Sequence, residues 1–213
     1  MEDVAPVGEI LAREGDFWVP NPWRYPLDRN LSAFEPNRLF LNAGGLRFVD
    51  LTWLSPAGSL SDGRGAVAAD FDGDLAPDLI ARNIGGGPVQ LFLNRFPATG
   101  RLIVRLRGRE SNRAGIGARL TAEIGERRLV RDLFVHNSFT TQQPAQVEFA
   151  FGEAERVDRL LIRWPSGTLQ ELRELGGNRL IRITEGEAEV ETIATRAPST
   201  TSDTPPHSQE GPR

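Results

Sequence analysis

The sequence predicts an all-β protein, and three observations support this. Short apolar runs bounded by Gly, Pro, Asp or Ser fill the first hundred residues, and a Leu-Phe-Leu-Asn tetrapeptide occurs twice among them. After Gly100, longer segments alternate apolar and polar residues, as half-buried strands do. With 213 residues, the chain has room for two small domains. We expect partial propeller blades over 1–97, a compact antiparallel, sandwich-like β domain over 98–186, and a disordered tail over 187–213.

The first region contains a repeat. Leu39-Phe40-Leu41-Asn42 recurs as Leu91-Phe92-Leu93-Asn94, and a repeat of roughly 50 residues has the length of one four-stranded propeller blade. Strand-like runs lie between the two copies, at 47–52, 65–71 and 79–82. Together with one copy of the tetrapeptide, these three runs account for the four strands of one blade.

The second region alternates more regularly. Leu102, Val104 and Leu106 share one face of a strand, and Val147, Phe149 and Phe151 repeat the scheme. Residues 159–164 lead through Pro165-Ser166-Gly167 into a predicted hairpin. Residues 179–184 are predicted as the last strand. From Glu187 onward, Glu, Ser, Thr and Pro dominate, which indicates disorder.

An acidic loop is the strongest candidate site. Carboxylates occupy positions 1, 3, 5 and 9 of the loop, as Asp70, Asp72, Asp74 and Asp78. Calcium takes six to eight oxygen ligands, and carboxylates on alternate residues of a short loop can turn toward one centre. The carbonyl of Ala76 would add a further oxygen. The alternative is an acidic surface turn; an EF-hand is excluded because Ala81 stands where that loop needs a bidentate glutamate.

Composition excludes several classes of function. The net charge of −4 gives no general attraction for nucleic acid or an anionic membrane. The chain has no cysteine, which excludes disulfides and thiolate sites. The N-terminal residues lack the basic and apolar parts of a secretory signal, and no apolar run is long enough for a membrane span. Either the true start lies upstream or the protein is not exported.

Two segments resemble known families. Residues 63–94, with Ala68-Ala69-Asp70-Phe71-Asp72-Gly73-Asp74, resemble an FG-GAP/VCBS repeat, the calcium-loop blade of integrin-like propellers. Residues 101–185 resemble the ASPIC/UnbV domain that follows such repeats in bacterial proteins and in cartilage acidic protein. Three ordered motifs carry this second resemblance, at 107–119, 151–158 and 162–167.

The resemblance implies a non-enzymatic, calcium-binding module of adhesion type, outside the cell or on its surface. One departure concerns Leu75, because that family usually has glycine at the sixth loop position. A left-handed backbone there would cost a non-glycine residue ~1–2 kcal/mol and weaken the site. The N-terminal half-blade, 16–38, has no alternating acidic loop and is not expected to bind metal.

Several alternatives stay open. The aspartates could serve a metal-assisted hydrolase, although their single contiguous loop and the lack of a nearby histidine argue against catalysis. Trp18, Trp23 and Tyr25 could form a sugar platform of a carbohydrate-binding accessory module. His136 and Ser166 are interpreted as structural. Two arginine sets are interpreted as solvated strand faces, with polyanion binding as the alternative: Arg127, Arg128 and Arg131, and Arg105, Arg107 and Arg109. The partner, protein or polysaccharide, is not specified, and uncovered blade edges predict association with further blades or another chain.

Overall fold

The structure is a computed structural model that describes residues 37–58, 62–84, 89–96, 99–138 and 141–196. Within these ranges the chain forms fifteen β-strands and no helix, as the sequence predicted. None of the described segments could therefore cross a membrane as a long apolar helix. Trp18, Trp23 and Tyr25 lie outside the described residues.

The first region forms two separate small sheets. Strands β1 (Phe40–Gly44) and β2 (Arg47–Asp50) pair as a hairpin whose residues are all exposed. Strands β3 (Asp62–Ala69), β4 (Asp78–Ile84) and β5 (Gln90–Phe92) form an antiparallel meander. The sequence predicted the strands of one four-stranded blade, whereas β2 does not pair with β3. Thr52, fully buried at the end of β2, begins a series of turns that separates the two sheets.

The second region contains two four-stranded sheets. The sheet called here sheet I has the order β11-β6-β14-β15, and sheet II has the order β13-β12-β7-β8. The strands of sheet I are β6 (Gly100–Arg107), β11 (Val147–Gly152), β14 (Arg179–Thr184) and β15 (Val190–Thr195). The strands of sheet II are β7 (Arg119–Ile124), β8 (Arg127–Asp132), β12 (Arg156–Arg163) and β13 (Leu169–Gly176). A short pair, β9 (His136–Ser138) and β10 (Thr141–Gln142), lies between β8 and β11 in the chain.

One apolar core joins the inner faces of the two sheets, so the prediction of a sandwich-like domain is confirmed. Leu102, Val104 and Leu106 of sheet I belong to the same buried cluster as Leu160 and Ile162 of sheet II. The three apolar positions predicted on β11 are buried there as well. Alternation therefore predicted the inner face correctly on both strands of sheet I that it singled out.

Two details of sheet I differ from the prediction. Strands β6 and β14 pair in parallel, with Arg105 opposite Arg182, so the domain is not purely antiparallel. Residues 179–184 are not the last strand either, because β15 follows and pairs with β14. The predicted tail boundary at Glu187 is therefore wrong over 187–196, and residues 197–213 lie outside the described part. The polar composition of 187–196 gave no sign of a strand in the sequence, because β15 forms by pairing with β14.

The outer face of sheet I has two unlike ends. At one end Ile103 and Leu180 form a small apolar cluster with Leu75 of the acidic loop, and Ile193 and Ala194 of β15 pack against it. At the other end arginine side chains line an open groove. The acidic loop thus contacts the sandwich at the apolar end.

Candidate metal centre

The acidic loop connects two paired strands. Ala69 and Asp78 are opposite each other at the ends of β3 and β4, so the loop between them is closed by the ladder of the meander. This pairing brings the first and last carboxylates, Asp70 and Asp78, to the base of the same loop. The predicted metal ligands therefore project from a hairpin connection.

Asp78 is the most firmly held of the four carboxylates. It is 1% exposed. Its Oδ2 accepts from the backbone N–H of Phe71 at 2.8 Å, and its Oδ1 accepts from that of Asn94 at 2.7 Å. The Asn94 side chain in turn donates to the carbonyl of Pro77 at 3.1 Å. The asparagine of the second Leu-Phe-Leu-Asn copy therefore positions the base of the loop.

Backbone N–H groups orient the other carboxylates. Asp70 accepts from Gly73 at 2.7 Å and from Leu75 at 2.9 Å, one bond on each oxygen. Asp72 accepts from the N–H of Asp74 at 3.3 Å, and Asp74 accepts from that of Ala76 at 2.7 Å. Each carboxylate oxygen has further acceptor capacity, so these bonds leave lone pairs for a cation.

Three of the four predicted aspartates converge. Carboxylate oxygens of Asp70, Asp72 and Asp78 lie within 4.8 Å of one another. Asp74 is not a member of that group, and its Oδ2 lies 3.6 Å from Nη2 of Arg196. Ala76 is buried, and its carbonyl stays a predicted ligand. An all-oxygen set of this kind fits a hard cation such as calcium, with further ligands from the backbone or water.

Arginines supply part of the charge balance around the loop. Nη1 of Arg95 lies 3.1 Å from Oδ2 of Asp72, and the Arg95 side chain is 68% exposed. Exposed pairs of this kind contribute little and are easily displaced. The pKa of the neighbouring Glu148 is raised, mainly by burial and to a smaller extent by the charge of Asp70. A hydrogen bond from Gln146 and the charge of Arg101 oppose this rise.

Leu75 has a left-handed backbone with a φ of 65°, the conformation whose cost to a non-glycine residue was considered from the sequence. Its side chain is nevertheless buried, in contact with the apolar cluster on sheet I. Its carbonyl accepts from Nη1 of Arg101 on β6 at 2.7 Å. Leu75 is thus a contact between the loop and the sandwich, a role that the sequence did not indicate because the partners lie far along the chain.

A second polar centre lies at one end of the sandwich, where the loop after β6, the turn between β12 and β13 and the end of β14 meet, and sequence reasoning missed it. Oε2 of Glu185 accepts from the backbone N–H groups of Arg109, Glu110 and Ser111 at 2.8, 3.0 and 2.8 Å. Its Oε1 accepts from the hydroxyls of Ser111 at 2.9 Å and Ser166 at 2.6 Å. These bonds outweigh burial and lower the pKa of Glu185 to about 2. The buried carboxylate holds together two loops that are distant in sequence.

These two loops carry two of the three motifs on which the resemblance of the second region depends. Residues 108–190 match the ASPIC and UnbV family. The match confirms that half of the resemblance, while the FG-GAP/VCBS half stays a prediction. No curated protein matches the chain. In the ASPIC/UnbV segment, Trp164 donates through Nε1 to Gln170 at 2.8 Å, beside the turn that presents Ser166.

The other residues singled out from the sequence lie away from the acidic loop. Ser166 lies in the turn between β12 and β13, as predicted, and binds the Glu185 carboxylate of the ASPIC/UnbV segment. His136 is exposed on the short strand β9. Of the predicted set Arg105, Arg107 and Arg109, the first two lie on β6, whereas Arg109 lies in the loop after it and pairs with Glu187.

Proposed function

We propose that this protein is a non-enzymatic interaction module in which calcium binds the loop between β3 and β4. The convergence of Asp70, Asp72 and Asp78, with Asp78 almost completely buried, is the observation that carries the proposal. Asp74 and the carbonyl of Ala76 complete the predicted ligand set. The ASPIC/UnbV match is consistent with a module that binds rather than catalyses.

Electrostatics supplies the physical reason for a cation. Three carboxylates within 4.8 Å of one another repel, and burial of Asp78 weakens the screening by water. Arg95 reaches only one oxygen of Asp72 from an exposed position. A divalent ion at the centre would offset the repulsion of all three carboxylates at once. Calcium would thereby fix the loop and take no part in a reaction.

The fixed loop would present a binding surface outside the cell or on its surface, as the family resemblance implies. Loops held on a rigid β scaffold are common recognition sites. The partner would be a protein or a polysaccharide. Apolar side chains on the strands of the first region, such as Phe40 and Phe48, are more than half exposed, so further blades or another chain would cover them.

A calcium titration tests the proposal directly. The wild-type chain should give a saturable heat in calorimetry, and its melting temperature should rise with calcium, since a ligand at 100 times its Kd adds ~2.7 kcal/mol. Calcium should bind more tightly than zinc. Asp72→Asn should abolish the rise in melting temperature, because it removes one of the converging carboxylates. The substitution should leave the fold intact, because Asp72 makes few structural hydrogen bonds. Glu126→Gln, which removes an exposed carboxylate from a turn of sheet II, should leave it unchanged.

Asp74→Asn distinguishes the three converging aspartates of the structure from the four aspartate ligands that the sequence predicts. Because Asp74 does not converge with the other three carboxylates, its loss should weaken calcium binding less than the loss of Asp72. A melt that is identical in calcium and in chelator would reject the calcium site. Equal effects of Asp72→Asn and Glu126→Gln would reject the assigned ligands.

A further inference from the structure

A basic groove opens at the second end of the outer face of sheet I. Its volume is about 490 Å³, and four arginines line it, Arg105, Arg107, Arg113 and Arg182. They come from three separate segments, β6, β14 and the loop after β6. Leu106, Ala114 and Ala145 supply the apolar part of the lining.

The strands of sheet I set the backbone spacing of three of these arginines. Arg105 lies opposite Arg182 in the parallel pair of β6 and β14, a separation of ~4.8 Å between strands. Arg107 follows on the same face of β6, ~6.6 Å further along the strand. Arg113 belongs to the loop whose N–H groups bind Glu185, so that loop is held in place. The sheet and the loop therefore fix the backbone positions from which the four arginine side chains extend.

Of the four arginines, only Arg182 has a carboxylate partner among the described residues. Arg182 pairs with Glu191 at 2.7 Å, and Arg105 donates to the neutral amide of Gln146 at 3.1 Å. Among the described residues, no carboxylate lies within ion-pairing distance of Arg105, Arg107 or Arg113. Three uncompensated guanidinium groups thus share one groove on a chain whose net charge is −4. The positive potential there is local, not a property of the whole chain.

We infer that this groove binds an anionic polysaccharide through sulfate or carboxylate groups on neighbouring sugars. Guanidinium groups bind such oxyanions in a bidentate manner, and several of them in one groove can contact more than one anionic group of the same polymer. A single-stranded nucleic acid is less favoured, because no aromatic side chain lines the groove to stack with bases. The inference names a ligand class for the proposed interaction module, but the groove does not include the calcium loop.

Dextran sulfate and neutral dextran of equal length form a matched pair of probes. In chelator, so that the calcium loop does not contribute, the full chain should bind dextran sulfate and not dextran. Added sodium chloride should weaken this binding by screening. Arg107→Gln with Arg113→Gln should raise the Kd by about tenfold or more, since the variant loses two charge-assisted contacts with the polymer. Thermal melts of the variant should match the wild type, because both side chains are exposed.

Arg163→Gln with Arg173→Gln is the control, because it removes the same charge from exposed positions on sheet II. The control variant should keep the wild-type Kd within about twofold. An equal loss of affinity for dextran sulfate in both double variants would overturn the inference, because binding would then depend on total charge and not on the groove. Failure to bind dextran sulfate, or tighter binding of single-stranded DNA, would also overturn it. Competition by inorganic sulfate at an equal sulfate concentration would show that the groove binds single anions and no polymer.

Discussion

At the scale of the residue, Glu185 shows how one carboxylate can organise distant segments. It receives five hydrogen bonds, three from consecutive backbone N–H groups and two from serine hydroxyls. Hydrogen bonds to a charged group are stronger than those between neutral groups, and breaking them leaves buried donors without partners. The charge on Glu185 therefore stabilises the turn at Ser166 and the loop after β6 together.

We predict that Glu185→Gln lowers the free energy of unfolding by ~1.5–3 kcal/mol at neutral pH. The pKa of Glu185 is about 2 in the fold, against an ordinary value of 4.5. Its stabilising contribution is therefore complete above pH 4.5 and is lost as the pH falls through 2. Urea unfolding of wild type and variant across this range should show the two converging at low pH.

Glu110→Gln is the control for Glu185, because Glu110 offers an exposed carboxylate in the same loop. Its stability should follow that of the wild type at every pH. Equal stability of Glu185→Gln and wild type at pH 7 would contradict the central role of Glu185.

At the scale of the element, the loop between β3 and β4 has two functions that compete at Leu75. Its left-handed backbone favours glycine, whereas its side chain is 3% exposed against Ile103 and Leu180. Burying a leucine contributes ~1.5–3 kcal/mol, and the left-handed conformation costs ~1–2 kcal/mol. Burial therefore outweighs strain. The expectation from the sequence that glycine would simply improve the loop is incomplete.

We predict that Leu75→Ala and Leu75→Gly both lower the melting temperature without calcium, and that glycine is the less harmful. Both variants lose the apolar contact, but only glycine relieves the backbone. The difference between the two variants should be ~1–2 kcal/mol in the free energy of unfolding. Calcium calorimetry on the same pair should show tighter binding to the glycine variant than to the alanine variant. If the Leu75→Ala variant were as stable as the Leu75→Gly variant, or more stable, the backbone at this position would be unstrained.

At the scale of the whole molecule, the two regions differ in how well they bury their strands. The sandwich surrounds one apolar core. The hairpin of β1 and β2 exposes residues on both faces, and Leu46 is 96% exposed. The regions are linked at Leu75, Arg101 and Arg196, and by the Thr141 hydroxyl, which donates to the carbonyl of Ala66 at 3.3 Å. The sandwich is therefore the part expected to fold by itself.

We predict that a fragment of residues 98–196 melts cooperatively, and that a fragment of 98–186 melts at least about 5 °C lower. The shorter fragment lacks β15, which pairs with β14 and covers Leu180. Residues 1–97 expressed alone should aggregate or exchange their amide hydrogens rapidly, because the strands described among them form two small sheets with open edges. Calorimetry, light scattering and hydrogen exchange measure these properties.

Two results would contradict this division of the chain. One is a monomeric, cooperatively folded 1–97 fragment. The other is equal melting temperatures for 98–186 and 98–196, which would show that β15 adds nothing to the sandwich.

Local patterns determined much of this protein from the sequence. Alternation of apolar residues placed the inner faces of β6 and β11, because side chains on a strand point to opposite faces. The spacing of Asp70, Asp72 and Asp78 placed three carboxylates in one loop whose oxygens converge. The turn at Ser166 followed from proline and glycine. These features depend on residues that are close together in the chain.

Only the tertiary structure decided the features that join distant segments. Glu185 binds Ser111 across 74 residues, and no local pattern marks either as a partner. The parallel pairing of β6 and β14 brings Arg182 beside Arg105, and it creates a groove that the predicted set of Arg105, Arg107 and Arg109 did not describe. Leu75 and β15 gain their roles from contact with sheet I. Such contacts arise from packing the whole chain, which residue spacing along one segment does not encode.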